Sequence, residues 1–187
     1  MKRIINTLLS IPFLMLIDIN DGLAQTELAL ETKAVAFTIS VEIPRIETDA
    51  YFRPYVAVWL ETEQREAVQT LALWYQVDAA NTQEDGSKWL KDLRQWWRKV
   101  GKKNASNYDG FTGATRRPGQ HKLVWKTELA GELEVGNYFI NFEAAREEGG
   151  RTFHRAPFAV KKTSSKQSIT IPAEHEFGEI TIYLEII

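Results

Sequence analysis

Apolar and polar residues alternate along most of the chain from residue 34 onward, with the period of two that is typical of half-buried β-strands. The alternation is clearest over residues 34–43, where Val35, Phe37 and Ile39 lie on one side and small or polar residues on the other. Composition and alternation predict further strands over 55–60, 68–77, 122–125, 137–145, 152–160, 167–171 and 179–186. The polar break at 61–66 predicts that the strands on either side of it form a hairpin.

The period changes over residues 86–100, where the apolar residues recur at helical spacing. These residues are Trp89, Leu90, Leu93, Trp96, Trp97 and Val100, and Gly101 follows as a stop signal. We therefore predict one α-helix over about 86–100. About eight strands with one inserted helix favour an all-β fold, an antiparallel sandwich of the immunoglobulin/fibronectin-like class. The polar run 161–166 (KKTSSK) predicts a solvated hairpin turn.

The N-terminal residues have the pattern of a secretory signal peptide. Lys2 and Arg3 precede an apolar run over 4–17, and Gly22 and Ala24 are small residues at the expected cleavage site. The run is shorter than the roughly 20 residues that span a bilayer. We predict a signal peptide over 1–24, a linker over 25–33 and a single β-sandwich domain over 34–187. The alternative is an uncleaved anchor helix.

Composition narrows the range of functions. The 187 residues include 23 Lys and Arg against 25 Asp and Glu, and the net charge of −2 argues against general binding of nucleic acid. The absence of Cys excludes disulfides, thiolate zinc sites and cysteine nucleophiles. The hydrophobic fraction of 44% and charged fraction of 26% are those of an ordinary folded domain.

One loop, residues 112–119 (TGATRRPG), combines glycines, hydroxyls and two arginines. Backbone N–H groups and guanidinium groups in such a loop can converge on a carboxylate or phosphate. We predict a binding site for a small anionic ligand or a partner here, together with the end of a neighbouring strand. The predicted contact residues are Thr112, Thr115, Arg116, Arg146 and Glu147. In the alternative, Arg116 only holds the loop, through backbone carbonyls or through Glu143 or Glu147.

Evidence for catalysis is sparse. Glu143 and Glu147 would share one face of a strand, and glycoside hydrolases use two carboxylates across a cleft. Glutamates clustered beside Arg146 are more typical of a surface ion-pair network. The three histidines fall in different segments without metal-ligand spacing. We therefore predict no catalytic residue and no metal site, with a hydrolase that uses Glu143 and Glu147 as the alternative.

The predicted helix carries an excess of positive charge. Over residues 85–103, seven Lys and Arg stand against two Asp, beside three tryptophans. Such a helix could lie on an anionic membrane surface or dock a partner. Alternatively, its tryptophans cover an open face of the sandwich and its basic side faces water. The candidate surface residues are Lys88, Lys91, Arg94 and Arg98.

A set of ordered motifs resembles one family of bacterial predicted periplasmic proteins, a domain of unknown function. The motifs are RPYVAVW at 53–59, TLALWY at 70–75, KWLKDL at 88–93, TGATR at 112–116 and FEAARE at 142–147. The resemblance covers most of residues 35–186. The second half is also similar to the immunoglobulin-like module of flagellar hook-capping proteins, with Trp125 and the residues 136–138 (GNY) in matching positions.

The family resemblance implies a periplasmic location and an accessory role in iron, haem or flavin metabolism. We therefore expect an exported, non-enzymatic accessory or binding protein, with a hydrolase or a purely structural interaction module as alternatives. The expected partners are a periplasmic or inner-membrane protein, or a small anionic ligand. The sequence identifies no cofactor, and once mature the protein is not expected to span the membrane.

If signal peptidase cleaves after Ala24, the mature chain begins at Gln25. Intact-mass spectrometry of the protein from a periplasmic extract is expected to give the mass of residues 25–187. A bulky residue at the cleavage site, as in Ala24→Trp, is expected to retain the leader because the peptidase requires a small residue there. A wild-type mass that includes residues 1–24 would instead support the anchor helix.

Overall fold

A computed structural model describes residues 30–76, 86–103, 112–126 and 132–187. The predicted signal peptide and residues 25–29 of the predicted linker lie outside the described residues, as does Val77 at the end of one predicted strand. All eight predicted strands are present in the part of the chain that the structure describes.

The described strands form two facing sheets and one small ribbon. The strands are β1 (Thr32–Lys33), β2 (Val35–Ile43), β3 (Tyr55–Thr62), β4 (Ala67–Trp74), β5 (Thr112–Gly113), β6 (Gly119–Lys126), β7 (Leu133–Glu134), β8 (Gly136–Ala145), β9 (Arg151–Val160), β10 (Ser165–Ile171) and β11 (Ile180–Ile186). One sheet has the order β10-β11-β2-β6 and the other β5-β4-β3-β8-β9, while β1 pairs with β7. The prediction of an all-β sandwich is confirmed, and so is the β3–β4 hairpin.

The main core lies between the two sheets. Every second residue of β2 is fully buried, and in register beside them lie the apolar residues of β11, such as Ile182 opposite Ile39. Phe37 contacts the rings of Trp125 and Phe158 at centroid distances of 5.6 and 5.4 Å. Burial of each such side chain stabilises the fold by roughly 1.5–3 kcal/mol. The alternation of apolar and polar residues along β2 therefore matches the alternation of its inward and outward side chains.

The five-stranded sheet is buried on its outer face as well. There Ala57, Trp59 and Leu73 pack against residues of the segment after β4, namely Leu90, Leu93 and Trp96, all of them fully buried. Strand β3 is thus covered on both faces, which explains its nearly continuous apolar sequence, YVAVWL. The alternative in which the helical tryptophans cover a face of the sandwich is confirmed for Trp96.

The predicted α-helix over 86–100 is divided into three short pieces. A 3₁₀ helix (Gly86–Asp92) is followed by a single α-turn (Arg94–Trp96) and a π-turn (Trp97–Gly101), which together we call the helical segment. The break falls at Leu93, whose ψ of 70° is not helical. The N–H groups of Gln95 and Trp96 bond the carboxylate of Glu143, so they do not continue a regular helical ladder. The segment is therefore helical, as predicted, but it is not one continuous α-helix. Of the predicted apolar positions, Leu90, Leu93 and Trp96 are fully buried, whereas Trp89 is 38% exposed.

Residues 161–164 do not form the predicted hairpin turn. They join β9 to β10, and these two strands belong to different sheets. After this crossing, Gln167 reaches back to β9: its Oε1 accepts from the N–H of Ala159 at 3.3 Å, and its Nε2 donates to the Ala159 carbonyl at 2.7 Å. A side-chain amide thus takes the place of a neighbouring strand at the outer edge of β9.

We expect Leu93→Ala to lower the free energy of unfolding by about 2–5 kcal/mol, because it leaves a cavity between the helical segment and the sheet. Urea denaturation of the variant beside wild type measures this loss. Arg94→Ala, which changes the next and exposed residue, is the matched control and is expected to shift stability by under about 0.5 kcal/mol. Equal effects of the two variants would mean that the segment does not unfold together with the sandwich.

Candidate functional site

A cavity of about 620 Å³ lies beside the start of β3, the end of β8 and the start of the helical segment. Four aromatic side chains contribute to its lining: Tyr51, Phe52, Tyr55 and Trp89. The remaining lining residues are Arg53, Gln76, Asp92, Thr115, Ala145, Arg146, Glu147 and Glu148. Its size is within the range of about 300–1,000 Å³ that is usual for small-molecule sites. We call it the aromatic cavity.

Three of the five predicted contact residues meet in this cavity. Thr115, Arg146 and Glu147 line it together. The other two lie beside it. Thr112 belongs to β5, which pairs in parallel with Leu73 of β4. Arg116 stacks over the ring of Trp74, with its guanidinium carbon 5.3 Å from the ring centroid. Arg116 therefore holds the loop through a contact with an aromatic ring. From the sequence we expected backbone carbonyls or a glutamate as its partner.

Arg146 is part of the cavity wall and forms a buried ion pair with Glu176. Its Nε and its terminal Nη2 donate to the two carboxylate oxygens of Glu176 at 2.9 and 3.1 Å, and both side chains are almost fully buried. The Gly150 N–H also donates to Glu176, at 2.9 Å, and the Glu176 N–H donates to the Thr152 hydroxyl. The charge of Arg146 is thus already balanced. No pattern in the sequence points to Glu176, which lies 30 positions away between β10 and β11.

Glu143 does not line the aromatic cavity. Its side chain is fully buried under the helical segment and accepts hydrogen bonds from the N–H groups of Gln95 and Trp96 at 2.9–3.1 Å. It also accepts from Arg151 at 2.7 Å. Glu147 follows the end of β8 at Ala145 and is exposed, so the predicted common strand face of Glu143 and Glu147 is wrong. Glu143 anchors the helical segment, while Glu147 faces the cavity.

The predicted helix-surface residues lie along the outer side of the helical segment. Lys88 and Lys91 sit over the ring of Trp89, at 5.1 and 5.7 Å from its centroid, and both are exposed. Trp89 itself is 38% exposed, and it is the residue of this group that lines the cavity. Arg94 is exposed, and Arg98 bonds the side chain of Gln95. The two lysines therefore contact the ring of Trp89, which lines the cavity.

The cavity can stack a planar ring and hydrogen-bond its substituents. The Tyr51 hydroxyl donates to the Pro44 carbonyl at 3.5 Å, and burial raises its pKa above the ordinary value. Arg53 supplies an exposed cation, and Thr115 a hydroxyl. Among the described residues, no group of three or more His, Asp or Glu side chains is placed to hold a metal ion. The aromatic rings, the exposed cation and the hydroxyl groups of the lining together suit an organic ligand with an aromatic ring.

Comparison with known proteins identifies the family. Residues 36–179 match the family described as "Predicted periplasmic protein (DUF2271)", and the chain belongs to this family. The protein is accordingly periplasmic. No curated protein and no solved structure matches the chain, so the resemblance to the hook-capping module stays a prediction, as does the immunoglobulin-like assignment. In the described part of the chain, no helix is both long and apolar enough to cross a membrane.

We expect Glu143→Gln to lower the free energy of unfolding by about 2–4 kcal/mol, because an amide cannot accept from two backbone N–H groups and an arginine as a carboxylate does. Guanidinium denaturation measures the loss. The isosteric change Glu147→Gln is the matched control and is expected to cost under about 0.5 kcal/mol. A stable Glu143→Gln variant would show that the helical segment does not depend on this carboxylate.

Proposed function

We propose that this periplasmic β-sandwich is a non-enzymatic binding protein, that the aromatic cavity is its ligand site, and that the ligand is a planar aromatic anion of the flavin type. The observation that carries the proposal is the meeting of four aromatic side chains with Arg53 and the Thr115 hydroxyl in one cavity. The family resemblance, which implies a role in iron, haem or flavin handling, points in the same direction.

The aromatic lining supports the choice of a planar ligand. Lys88 and Lys91 each lie over the ring of Trp89, and Tyr55 meets the ring of Tyr75 edge-on at 6.5 Å, so both rings have contacts that restrict their movement. Rings that are already positioned stack on a ligand without a large loss of side-chain entropy. Their polar neighbours would fix the orientation of a ligand that carries carbonyl or hydroxyl substituents.

The cavity has one exposed cation that can bind the charged end of an anionic ligand, beside three carboxylates that repel anions. The Arg146 charge is balanced by Glu176, whereas Arg53 is exposed at the cavity. An arginine can bind a phosphate or carboxylate with two parallel hydrogen bonds. The acidic residues Asp92, Glu147 and Glu148 would keep a second anionic group away from their side of the cavity. We therefore assign the charged end of the ligand to Arg53.

Flavin is favoured over haem by the donor set. Haem iron takes an axial His, Met, Cys or deprotonated Tyr, and none of the lining residues named above is His, Met or Cys. A tyrosinate ligand from Tyr51 would work against the raised pKa of that hydroxyl. A flavin needs no such ligand, because stacking, hydrogen bonds and one cation suffice to hold it.

The first test is an absorption spectrum and a mass of the protein purified from its native periplasm, recorded native and then denatured. A flavin spectrum with a native mass above that of the chain supports the proposal. The added mass is expected to be lost on denaturation, because the contacts proposed in the cavity are non-covalent. A bare chain that also fails to quench the fluorescence of added flavin mononucleotide contradicts the proposal.

We expect Trp89→Ala and Arg53→Ala each to weaken the binding of flavin mononucleotide by about tenfold, because each removes one stacking or charge contact. Fluorescence titration measures the dissociation constant, and both side chains are exposed, so the fold should be retained. Tyr183→Ala and Arg45→Ala, which remove an exposed aromatic and an exposed cation outside the cavity, are the matched controls. Equal losses in the controls would place the binding elsewhere.

A further inference from the structure

The turn between β10 and β11, residues 172–179, packs against the opposite sheet. Two main-chain hydrogen bonds between Glu174 and Phe177, at 2.8 and 3.0 Å, join residues 174–177 into one tight unit. The ring of Phe177 is fully buried and meets Phe142 of β8 edge-on at 6.4 Å. We call residues 172–179 the β10–β11 turn. Its core contact depends on the strand residues that face it.

His154 of β9 lies against this turn, on the buried face of its strand. Thr152 and Ala156, two positions away on either side, are buried, and the His154 side chain is only 10% exposed. Its ring centroid is 5.7 Å from that of Phe177, and Phe142 lies opposite in register. Among the described residues, no group forms a hydrogen bond with its buried Nε2. Such a buried polar atom is rare in folded proteins and requires an explanation.

The surroundings of His154 compensate a positive charge poorly. Its Nδ1 lies 3.6 Å from a carboxylate oxygen of Glu174, whose side chain is 56% exposed and therefore screened by water. The Glu176 carboxylate is bonded to Arg146, and His175, 76% exposed, lies 3.9 Å from Glu174 on its outer side. Burial lowers the pKa of His154 below its ordinary value, against the weaker opposing attraction of Glu174.

The protonation of His154 is therefore coupled to the position of the turn. In the packed form, a proton places a charge between two phenyl rings. In a form with the turn displaced, the ring is in water and takes up a proton near the ordinary pKa of about 6.5. The displaced form thus binds the proton first as the pH falls. The packed form is fully favoured above about pH 7 and progressively less below about pH 6.5.

The same turn holds one wall of the aromatic cavity. Glu176 accepts from Arg146 at 2.9 and 3.1 Å, and its N–H donates to the Thr152 hydroxyl at 3.1 Å. Arg146 lines the aromatic cavity. Because residues 174–177 form one hydrogen-bonded unit, a movement of the turn away from His154 also draws Glu176 away from Arg146.

We propose that His154 is a pH-sensitive latch for the aromatic cavity. The neutral ring keeps the β10–β11 turn packed, and protonation of the ring in acid releases the turn together with the Glu176–Arg146 pair. A cavity wall that is no longer held offers a ligand fewer fixed contacts, so acid favours ligand release. The latch itself is a property of the free protein, whereas its effect on binding rests on the proposed function.

Hydrogen exchange on the mature protein without ligand tests the latch. The amides bonded within and beside the turn are those of Gly150, Glu174, Glu176 and Phe177. After correction for the intrinsic rates, we expect them to exchange at least about threefold faster at about pH 5.5 than at about pH 7.5. Ordinary carboxyl groups titrate near pH 4 and stay largely ionised over this range.

His154→Phe keeps a ring beside Phe177 but cannot take up a proton, so it is expected to abolish the acceleration. His154→Gln, also uncharged, replaces it if that variant does not fold. His175→Asn is the matched control, because it removes the exposed histidine of the same turn and asparagine tolerates the positive φ of 47° there. The proposal is overturned if wild type shows no acceleration, if His154→Phe or His154→Gln retains it, or if His175→Asn loses it.

The effect on the cavity is measured separately, by titration with flavin mononucleotide at the same two pH values. The phosphate of this probe titrates near pH 6, so the change in its dissociation constant in His154→Phe is the baseline. In wild type, we expect the weakening in acid to exceed that baseline at least about threefold. An equal change in both proteins contradicts control of the cavity by the latch. Accelerated exchange without binding at either pH supports the latch and contradicts only the proposed ligand.

Discussion

The buried carboxylate of Glu143 is the interaction on which the outer layer of this structure depends. A charged group with no exposure is stable only when its hydrogen-bonding capacity is filled. Here two main-chain N–H groups of the helical segment and the guanidinium of Arg151 fill it. The same contacts hold Leu90, Leu93 and Trp96 over the outer face of the sheet. Removal of the carboxylate would leave donors unpaired and an apolar face without its cover.

The helical segment, once held in place, connects two sites of different character. Its first part brings Trp89 and Asp92 to the aromatic cavity. Its last part brings Arg98 and Lys99 to a groove of about 810 Å³ that the start of β4 also lines. Strand β3 runs beneath it between the same two regions, from Tyr55 to the turn before β4. A short, irregular segment thus contributes residues to both cavities, and its packing against the sheet fixes the separation between them.

A second buried ion pair joins the two sheets. Arg146 follows the last strand residue of β8 in the five-stranded sheet, whereas Glu176 lies between β10 and β11 of the four-stranded sheet. Beside this pair the buried ring of Phe177 meets that of Phe142 edge-on at 6.4 Å. The wall of the aromatic cavity is therefore tied to the end of the sandwich, so the position of Arg146 reflects the packing of the whole domain.

The sequence by itself determined the eight longer strands, the all-β class and the burial of Leu90, Leu93 and Trp96, because alternation and helical spacing record locally which residues face the core. It also brought Thr115, Arg146 and Glu147 to attention through their chemistry. Only the tertiary structure decided which residues these side chains contact and which strands the loops connect. Glu143 became an anchor, Arg116 stacked on Trp74, and 161–164 crossed between sheets, since each outcome depends on residues that are distant along the chain. Pairings of this kind leave no periodic pattern in a single sequence, and they become visible only when the sheets are assembled.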